Sequence, residues 1–151
     1  MKTLKHMLMA CAGTAFLVAA GVACAQETPT TAPAGIHLVE AKDVQALQAK
    51  GAVVVDTRRA GEYAEGTIKG AISVPYDPEK SAKDAAFDPA QDKFDMAKFP
   101  DKNANIVTFC NSGTCWKSYK SAVVLAKAGY KNVHWYRNGF PDWKARKLPM
   151  E

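Results

Sequence analysis

Residues 105–129 read NIVTFCNSGTCWKSYKSAVVLAKAG, and this stretch predicts a strand, a short loop and a helix in succession. Residues 105–109 are mostly apolar, which predicts a buried strand. Apolar residues recur at helical spacing from Trp116 as far as Gly129, a residue typical of helix ends. A strand that runs through a short loop into a helix places the loop at the carboxyl end of a sheet, where functional residues of α/β proteins lie.

Strands and helices alternate on both sides of this stretch. Further strands are predicted over 36–39, 52–55, 71–75 and 133–136. Further helices are predicted over 41–51, through Glu62 and Tyr63 to Gly66, and over 141–145. Residues 76–104 are charged and irregular, with Phe87, Phe94, Met96 and Phe99 as scattered apolar points. We expect a surface excursion with one or two helical turns that is held to the body by its aromatic residues. The alternation predicts an α/β domain of three layers, with a mostly parallel five-stranded sheet flanked by helices.

The first 25 residues have the pattern of a secretory signal peptide. Lys2 and Lys5 precede an apolar run that ends in small residues, so we expect cleavage after Ala25, a periplasmic protein and no stable membrane insertion afterwards. Lipidation at Cys24 is the alternative, and it is less favoured because Gly21 stands where a larger aliphatic residue is usual. Residues 26–35 (QETPTTAPAG) are predicted to be a flexible leader, and 36–151 the folded domain.

Charge excludes some partners. Without the two lysines of the predicted signal peptide, the net charge falls from +5 to +3. No basic stripe with interleaved aromatic residues is present, so nucleic-acid binding is not expected. The mild positive charge favours small anions instead.

Cys110 and Cys115 are the only cysteines outside the predicted signal peptide, which holds Cys11 and Cys24. A lone pair of cysteines in an oxidising compartment indicates a disulfide first. The ring that it would close is very short, so the entropic gain in stability would be small. A reactive role therefore explains this pair better than a structural staple does.

The loop between the cysteines has the composition of an anion cradle. Asn111, Ser112, Gly113 and Thr114 are small, and their backbone N–H groups could turn inward around the Cys110 sulfur. Such amides, together with a helix N-terminus below, would stabilise a thiolate or the outer sulfur of a persulfide. The plainer alternative is that Cys110 is a small buried apolar residue.

The chain resembles the single-domain rhodaneses, a family of sulfurtransferases, from about Leu38 to Pro149. The resemblance is carried by VVVDTRRAGEYAEGTIKGAISVP (53–75), NIVTFCNSGTC (105–115) and AGYKNVHWYRNGFPDW (128–143). It implies a nucleophilic Cys110 and a substrate-binding loop that continues through Asn111, Ser112, Gly113, Thr114, Cys115 and Trp116. It also implies that Asp56, Arg58 and Glu62 are structural residues near the site, which would hold loops by charged hydrogen bonds. The other framework positions that it implies are Gly66, Ile68, Gly70 and Ala71.

Three residues depart from the family pattern. Thr67 replaces a customary histidine, and Trp116 replaces a small residue just after the loop. Cys115 stands at the last place of the loop, where many members carry an arginine that binds thiosulfate, which weakens the case for thiosulfate as donor. Cys115-Trp116 is also similar to the end of a Cys-x-x-Cys-Trp motif that occurs in a branch of exported rhodanese-like proteins. The similarity is partial, because the full motif would need Cys in place of Ser112.

Several roles stay open on the sequence alone. Cys115 could be a resolving thiol, the primary nucleophile or a passive loop residue. Trp116 could pack in the core or cover the loop. Lys117 and Lys120 are expected to face solvent. His37 and His134 have no metal-ligand spacing with the cysteines, so no metal and no organic cofactor are expected.

These features predict a monomeric sulfurtransferase that carries a sulfane sulfur as a persulfide on Cys110, with Cys115 as a second catalytic thiol. The expected partners are small anionic sulfur compounds such as thiosulfate or polysulfide as donors, and cyanide or a periplasmic thiol or protein as acceptor. The alternatives are a thiol–disulfide redox module that uses Cys110 and Cys115, or a non-catalytic rhodanese-like interaction domain. A phosphatase is disfavoured, because the loop is one residue too short and lacks the closing arginine.

Overall fold

A computed structural model describes residues 26–151, and it contains five strands and four α-helices in that range. The strands are β1 (Ile36–Leu38), β2 (Val53–Asp56), β3 (Ile72–Ser73), β4 (Asn105–Phe109) and β5 (Asn132–Tyr136). The helices are α1 (Ala41–Ala49), α2 (Ala60–Ala64), α3 (Trp116–Lys127) and α4 (Gly139–Ala145). The predicted signal peptide and the alternative lipidation at Cys24 lie outside the described residues.

The five strands form one sheet in the order β1-β5-β4-β2-β3, and every neighbouring pair is parallel. The predicted α/β fold is therefore confirmed. Asp56 is in register with Phe109, and Phe109 with Tyr136, so β2, β4 and β5 end in one row. The residues that follow this row emerge together at the carboxyl edge of the sheet, among them Cys110.

Helices cover both faces of the sheet. On one face, α3 packs through Trp116, Tyr119 and Leu125 against strand residues such as Ile106 and Trp135. On the other face, the second buried cluster joins residues of α1, α4 and the strands, among them Val44, Trp143, Val54, Val107 and Phe109. This two-sided burial explains why the central strands are almost continuously apolar in sequence.

Strand β4 has the predicted bounds, and the boundaries of the other elements differ from the predicted ones by at most two residues at either end. Asp56 belongs to β2, because its backbone still pairs with β3 and β4. The strand predicted over 71–75 shrinks to the two residues of β3, since this edge strand has only β2 as a neighbour. Helix α4 begins at Gly139, two residues before the predicted start.

The excursion over 76–104 contains two 3-10 turns, Pro89–Gln91 and Met96–Lys98. The aromatic residues hold the excursion as predicted, since Phe87 and Phe99 are buried in the core and Phe94 packs against it, whereas Met96 is 37% exposed. Within residues 26–151, no helix has the length and apolar character needed to cross a membrane.

Lys120 of α3 holds this excursion in place, and the prediction that it faces solvent is wrong. Its side chain is fully buried, and Nζ lies 2.9 Å from Glu79 Oε1 and 3.8 Å from Asp92 Oδ2. Nζ also donates to Ser81 Oγ at 2.9 Å. No local pattern indicates this burial, because the acidic partners lie about thirty to forty residues away in an irregular segment. Lys117 keeps some exposure, and its Nζ donates to the carbonyl of Tyr76.

Replacing Lys120 with methionine should cost about 3–5 kcal/mol of stability, because it leaves two carboxylates buried without their cation. Urea unfolding followed by circular dichroism would measure the loss. Lys127→Met, on the exposed last turn of the same helix, is the matched control and should stay within about 0.5 kcal/mol of the wild type. Equal stability of the two variants would show that the buried ion pairs do not anchor the excursion.

Candidate active site

Cys110 directly follows β4 at the carboxyl edge of the sheet, and its sulfur is bonded to that of Cys115 in a disulfide. The two Cα atoms are 6.3 Å apart, and the bond closes the loop 110–115 at the N-terminus of α3. Cys110 is 1% exposed, whereas Cys115 is partly exposed. Solvent therefore reaches the pair from the Cys115 side.

Polar oxygens surround the buried sulfur of Cys110. Sγ lies 3.1 Å from the carbonyl oxygen of Cys115 and 3.2 Å from Oγ of Ser118. The Ser118 hydroxyl accepts a hydrogen bond from Nε1 of Trp135 at 3.1 Å, so its own hydrogen is left to point at the sulfur. After reduction of the disulfide, this O–H would stabilise a thiolate on Cys110.

The backbone amides of the loop divide into two groups. The amide of Cys115 donates to the Ser112 carbonyl at 3.0 Å, and that of Thr114 to Ser112 Oγ at 3.4 Å. Within residues 26–151, the amides of Asn111, Ser112 and Gly113 have no protein acceptor. These three are the donors that a bound anion could use, and the cradle itself stays a prediction.

Glu62 of α2 contacts the loop directly. Its Oε1 accepts from Asn111 Nδ2 at 2.6 Å, and its Oε2 accepts from the backbone N–H of Arg59 at 3.2 Å. The hydrogen bond from Asn111 is the main reason why the pKa of Glu62 is lowered, and Arg58 adds to the effect by its positive charge. An ionised Glu62 thus fixes the start of the loop.

Asp56 and Arg58 form a buried frame beside the loop. The Asp56 carboxylate accepts from Arg58 Nε at 3.0 Å and from the Thr67 hydroxyl at 2.8 Å. Arg58 also donates to the carbonyl of Gly66 at 2.7 Å, and its guanidinium stacks on the Phe140 ring. Thr67 therefore contributes a hydrogen-bond donor to the frame, at the position where the family resemblance implies a histidine.

Gly139 allows α4 to pack directly on the backbone of Cys110. Its φ is +66°, and a Cβ at this position would collide with the carbonyl oxygen of Cys110. The amide of Phe140 instead donates to that carbonyl at 2.8 Å. Helix α4 and the end of β4 are in this way held against each other at the base of the loop.

The leader lies against the other end of the loop. The backbone N–H and the hydroxyl of Thr28 both donate to the Gly113 carbonyl at 2.7 Å, and Thr28 is 2% exposed. Trp116 is also 2% exposed, packs edge-to-face on Tyr119, and donates from Nε1 to the Gln26 carbonyl at 2.8 Å. Trp116 thus packs in the core and supports the leader, and the predicted flexible leader is attached to the loop at this end.

Residues 40–146 match the family model of the Rhodanese-like domain. The chain belongs to the rhodanese family. Among solved structures, a protein of Bacillus halodurans aligns with a TM-score of 0.58 and 24% identity, over 76% of each chain. A thiosulfate sulfurtransferase of Pseudomonas aeruginosa aligns with a TM-score of 0.53 and 25% identity, over 77% of this rhodanese and 20% of that chain.

Two curated relatives are similar over parts of their length. A mitochondrial protein of Schizosaccharomyces pombe, provisionally named a thiosulfate sulfurtransferase, is 27% identical over 94 residues, which are 62% of this chain and 64% of the relative. A tRNA uridine(34) hydroxylase of Nitrobacter hamburgensis is 33% identical over 113 residues, which are 74% of this chain and 40% of the relative. The chain thus spans less than two thirds of either relative, and it shares with them a sulfurtransferase-like family rather than a whole architecture.

The structure brings together most residues that the sequence pointed to. Cys110, Cys115 and the loop between them lie at one edge, with Glu62 on the loop and Asp56 and Arg58 beside it. Groups of three or more metal-ligating side chains are not found within residues 26–151. Sequence reasoning missed Ser118 and Arg137. Both had a usable pattern, because Ser118 lies in the first turn after the loop and Arg137 follows β5 as Cys110 follows β4.

Ser118→Ala should slow alkylation of Cys110 by iodoacetamide about tenfold at neutral pH, because the thiolate loses a charge-assisted hydrogen bond. The measurement uses a Cys115→Ser background, so that Cys110 is the single thiol of the described domain. Ser121→Ala is the matched control, since Ser121 is buried on the same helix and donates to the Ser118 carbonyl rather than to the sulfur. An unchanged rate for Ser118→Ala would show that the hydroxyl does not stabilise the thiolate.

The contact between Glu62 and Asn111 should depend on pH. The pKa of Glu62 is lower in the folded state than its ordinary value of 4.5. The contact therefore contributes fully to the stability of the folded state above about pH 4.5, and this contribution is lost as the pH falls through the lower pKa of the folded state. The Asn111 side-chain amide signal in NMR should move over that acidic range in the wild type and not in Glu62→Gln. Glu65→Gln, three residues along the chain and exposed, should keep the wild-type titration.

Proposed function

We propose that this rhodanese is a sulfurtransferase that carries a sulfane sulfur as a persulfide on Cys110. The observation that supports the proposal most directly is the position of the Cys110 sulfur. It lies at the carboxyl edge of the parallel sheet, beside the Ser118 hydroxyl and at the N-terminus of the twelve-residue helix α3. This is the setting in which a thiolate is stabilised and a thiol becomes a nucleophile.

Loading begins from the reduced protein. The Cys110 thiolate attacks the outer sulfur of a donor such as thiosulfate or a polysulfide. With thiosulfate, the new S–S bond to Cys110 forms as the S–S bond of the donor breaks, and sulfite leaves with the electron pair. The amides of Asn111, Ser112 and Gly113, which lack protein acceptors, are the candidates to hold the negative outer sulfur of the persulfide.

Unloading follows when an acceptor attacks the outer sulfur. Cyanide would leave as thiocyanate and return Cys110 to the thiolate, and a small or protein thiol would leave as a persulfide. Cys115 offers a second route. Its thiolate attacks the inner sulfur on Cys110, the Cys110–Cys115 disulfide forms, and the outer sulfur departs as hydrosulfide.

The disulfide seen in the structure would then be a product of the second route or of oxidation, and not the loading form. In that state the Cys110 sulfur is bonded to Cys115 and cannot attack a donor. A dithiol reductant must first open the bond by exchange, which gives two thiols and an oxidised dithiol. Activity should therefore require reduction.

Cys110→Ser should reduce thiosulfate–cyanide turnover to the rate of buffer, because the variant has no atom to carry the sulfur. Cys115→Ser should retain turnover and should no longer need a reductant. Thiocyanate formation measures both, and intact mass measures the carrier directly. Incubation with donor should make Cys115→Ser heavier by one sulfur atom. Equal turnover of Cys110→Ser and wild type would rule out the proposal.

The disulfide favours a second candidate function, a thiol–disulfide redox module. In that case a substrate dithiol would be oxidised as the Cys110–Cys115 bond is reduced, and each protein thiol would take up one proton. Equilibration with glutathione buffers, followed by thiol alkylation and mass measurement, would give the reduction potential of the pair. If Cys115→Ser, in which the route through Cys115 is closed, gained no sulfur on exposure to donor, that result would favour this candidate over sulfur transfer.

A further inference from the structure

Arg137 places a guanidinium group directly on the loop. It is the first residue after β5, next to Cys110 along the row in which β4 and β5 end. A Cβ built on Gly113 would lie 2.6 Å from Arg137 Cζ, so the guanidinium packs against the main chain at the middle of the loop. The glycine at 113 is therefore required for this cation to approach.

In the structure the leader occupies this guanidinium. Nη2 pairs with Glu27 Oε2 at 3.1 Å and donates to the Thr28 carbonyl at 3.0 Å, and Nε donates to Thr28 Oγ1 at 3.1 Å. Nη1 has no acceptor within residues 26–151. Of these partners only Glu27 carries a charge, and its side chain is 68% exposed.

We infer that Arg137 is the anion-binding group of the loop, and that the Glu27 carboxylate competes with anionic substrates for it. The inference rests on the proposed function and deepens it. Cys115 stands where the family resemblance implies an anion-binding arginine, and Arg137, directly after β5, would supply that positive charge instead. A guanidinium offers paired N–H donors to carboxylates and to other oxyanions, including the oxygens of a thiosulfonate group. Glu27 would hold that place until an anion replaces it.

Exposure of the Glu27 side chain makes such replacement feasible. The Arg137 side chain is 18% exposed and that of Glu27 68%, so the carboxylate side of the pair is open to solvent, and an incoming anion need displace only this one carboxylate, at a cost on the order of 1 kcal/mol. Thr28, by contrast, is buried and holds Gly113 by two hydrogen bonds. The leader can therefore stay on the loop while the Glu27 carboxylate exchanges with an anion.

The test compares two thiol reagents that differ chiefly in charge, iodoacetate and iodoacetamide. Their rates with the reduced full chain are measured site by site on Cys110 and Cys115 by peptide mass spectrometry, and the ratio of the two rates reports the local potential at each thiol. This readout does not depend on sulfur transfer. Turnover with thiosulfate is measured in parallel on the same variants.

Glu27→Gln should raise the iodoacetate-to-iodoacetamide ratio roughly two- to fivefold, and Arg137→Gln should lower it by a similar factor. In the double variant, the Glu27 change should have a much smaller effect than in the wild type, since the residue that it competes for is gone. Arg137→Lys keeps the positive charge and should retain most of the ratio. The changes should shrink at high salt, where the contact is screened.

Glu65→Gln and Arg146→Gln are the matched controls, because both residues are exposed and lie on other elements. Unchanged ratios in Glu27→Gln or Arg137→Gln, or an undiminished Glu27 effect in the double variant, would overturn the inference. Shifted ratios without thiocyanate formation would leave the anion site standing and refute sulfur transfer. Normal turnover with unshifted ratios would support sulfur transfer and overturn the anion site at Arg137.

Discussion

The common register of the parallel strands is the constraint on which the rest of this structure depends. Because Asp56, Phe109 and Tyr136 share one row, the chain leaves three central strands at the same edge. That single alignment brings together the Asp56–Arg58 frame, the cysteine loop and Arg137, although Asp56 and Arg137 are 81 residues apart in the sequence. A slip of one residue in β4 would turn Cys110 to the opposite face of the sheet, away from Ser118.

Oxidation divides the behaviour of the loop into two states with different chemistry. In the disulfide state, the Cys110 sulfur is buried and bonded, and the partly exposed Cys115 faces the approach of a reductant. In the reduced state, the Ser118 hydroxyl and the helix N-terminus would be available to a thiolate. Glu62, through Asn111, and Thr28, through Gly113, hold the two halves of the loop from outside by contacts that involve neither sulfur.

The sequence was sufficient for the parts of the fold that are written in local patterns. Apolar runs and helical spacing located the central strands and α3, and the order of elements specified a parallel sheet. The loop was recognisable because its strand, its small residues and its helix are adjacent in the chain. Lys120 was not recognisable, since nothing in a helical lysine reveals that Glu79 and Asp92 will surround it. The contacts of Gln26 and Thr28 were missed for a similar reason, because a Pro- and Thr-rich composition suggests mobility and gives no information about what such a segment touches.

The seating of Gln26–Thr28 also bears on how this protein can be tethered or tagged. The part of the chain that precedes Gln26 joins the domain at the edge of the sheet that carries the cysteines, where the Gln26 carbonyl accepts from the Trp116 indole. At Glu151 the backbone exchanges two hydrogen bonds with Thr67, next to the Asp56 frame, so a tag attached there would also lie beside the candidate site. An affinity handle placed in the exposed part of the excursion, near Lys83 and Ala85, would lie outside both of these sets of contacts.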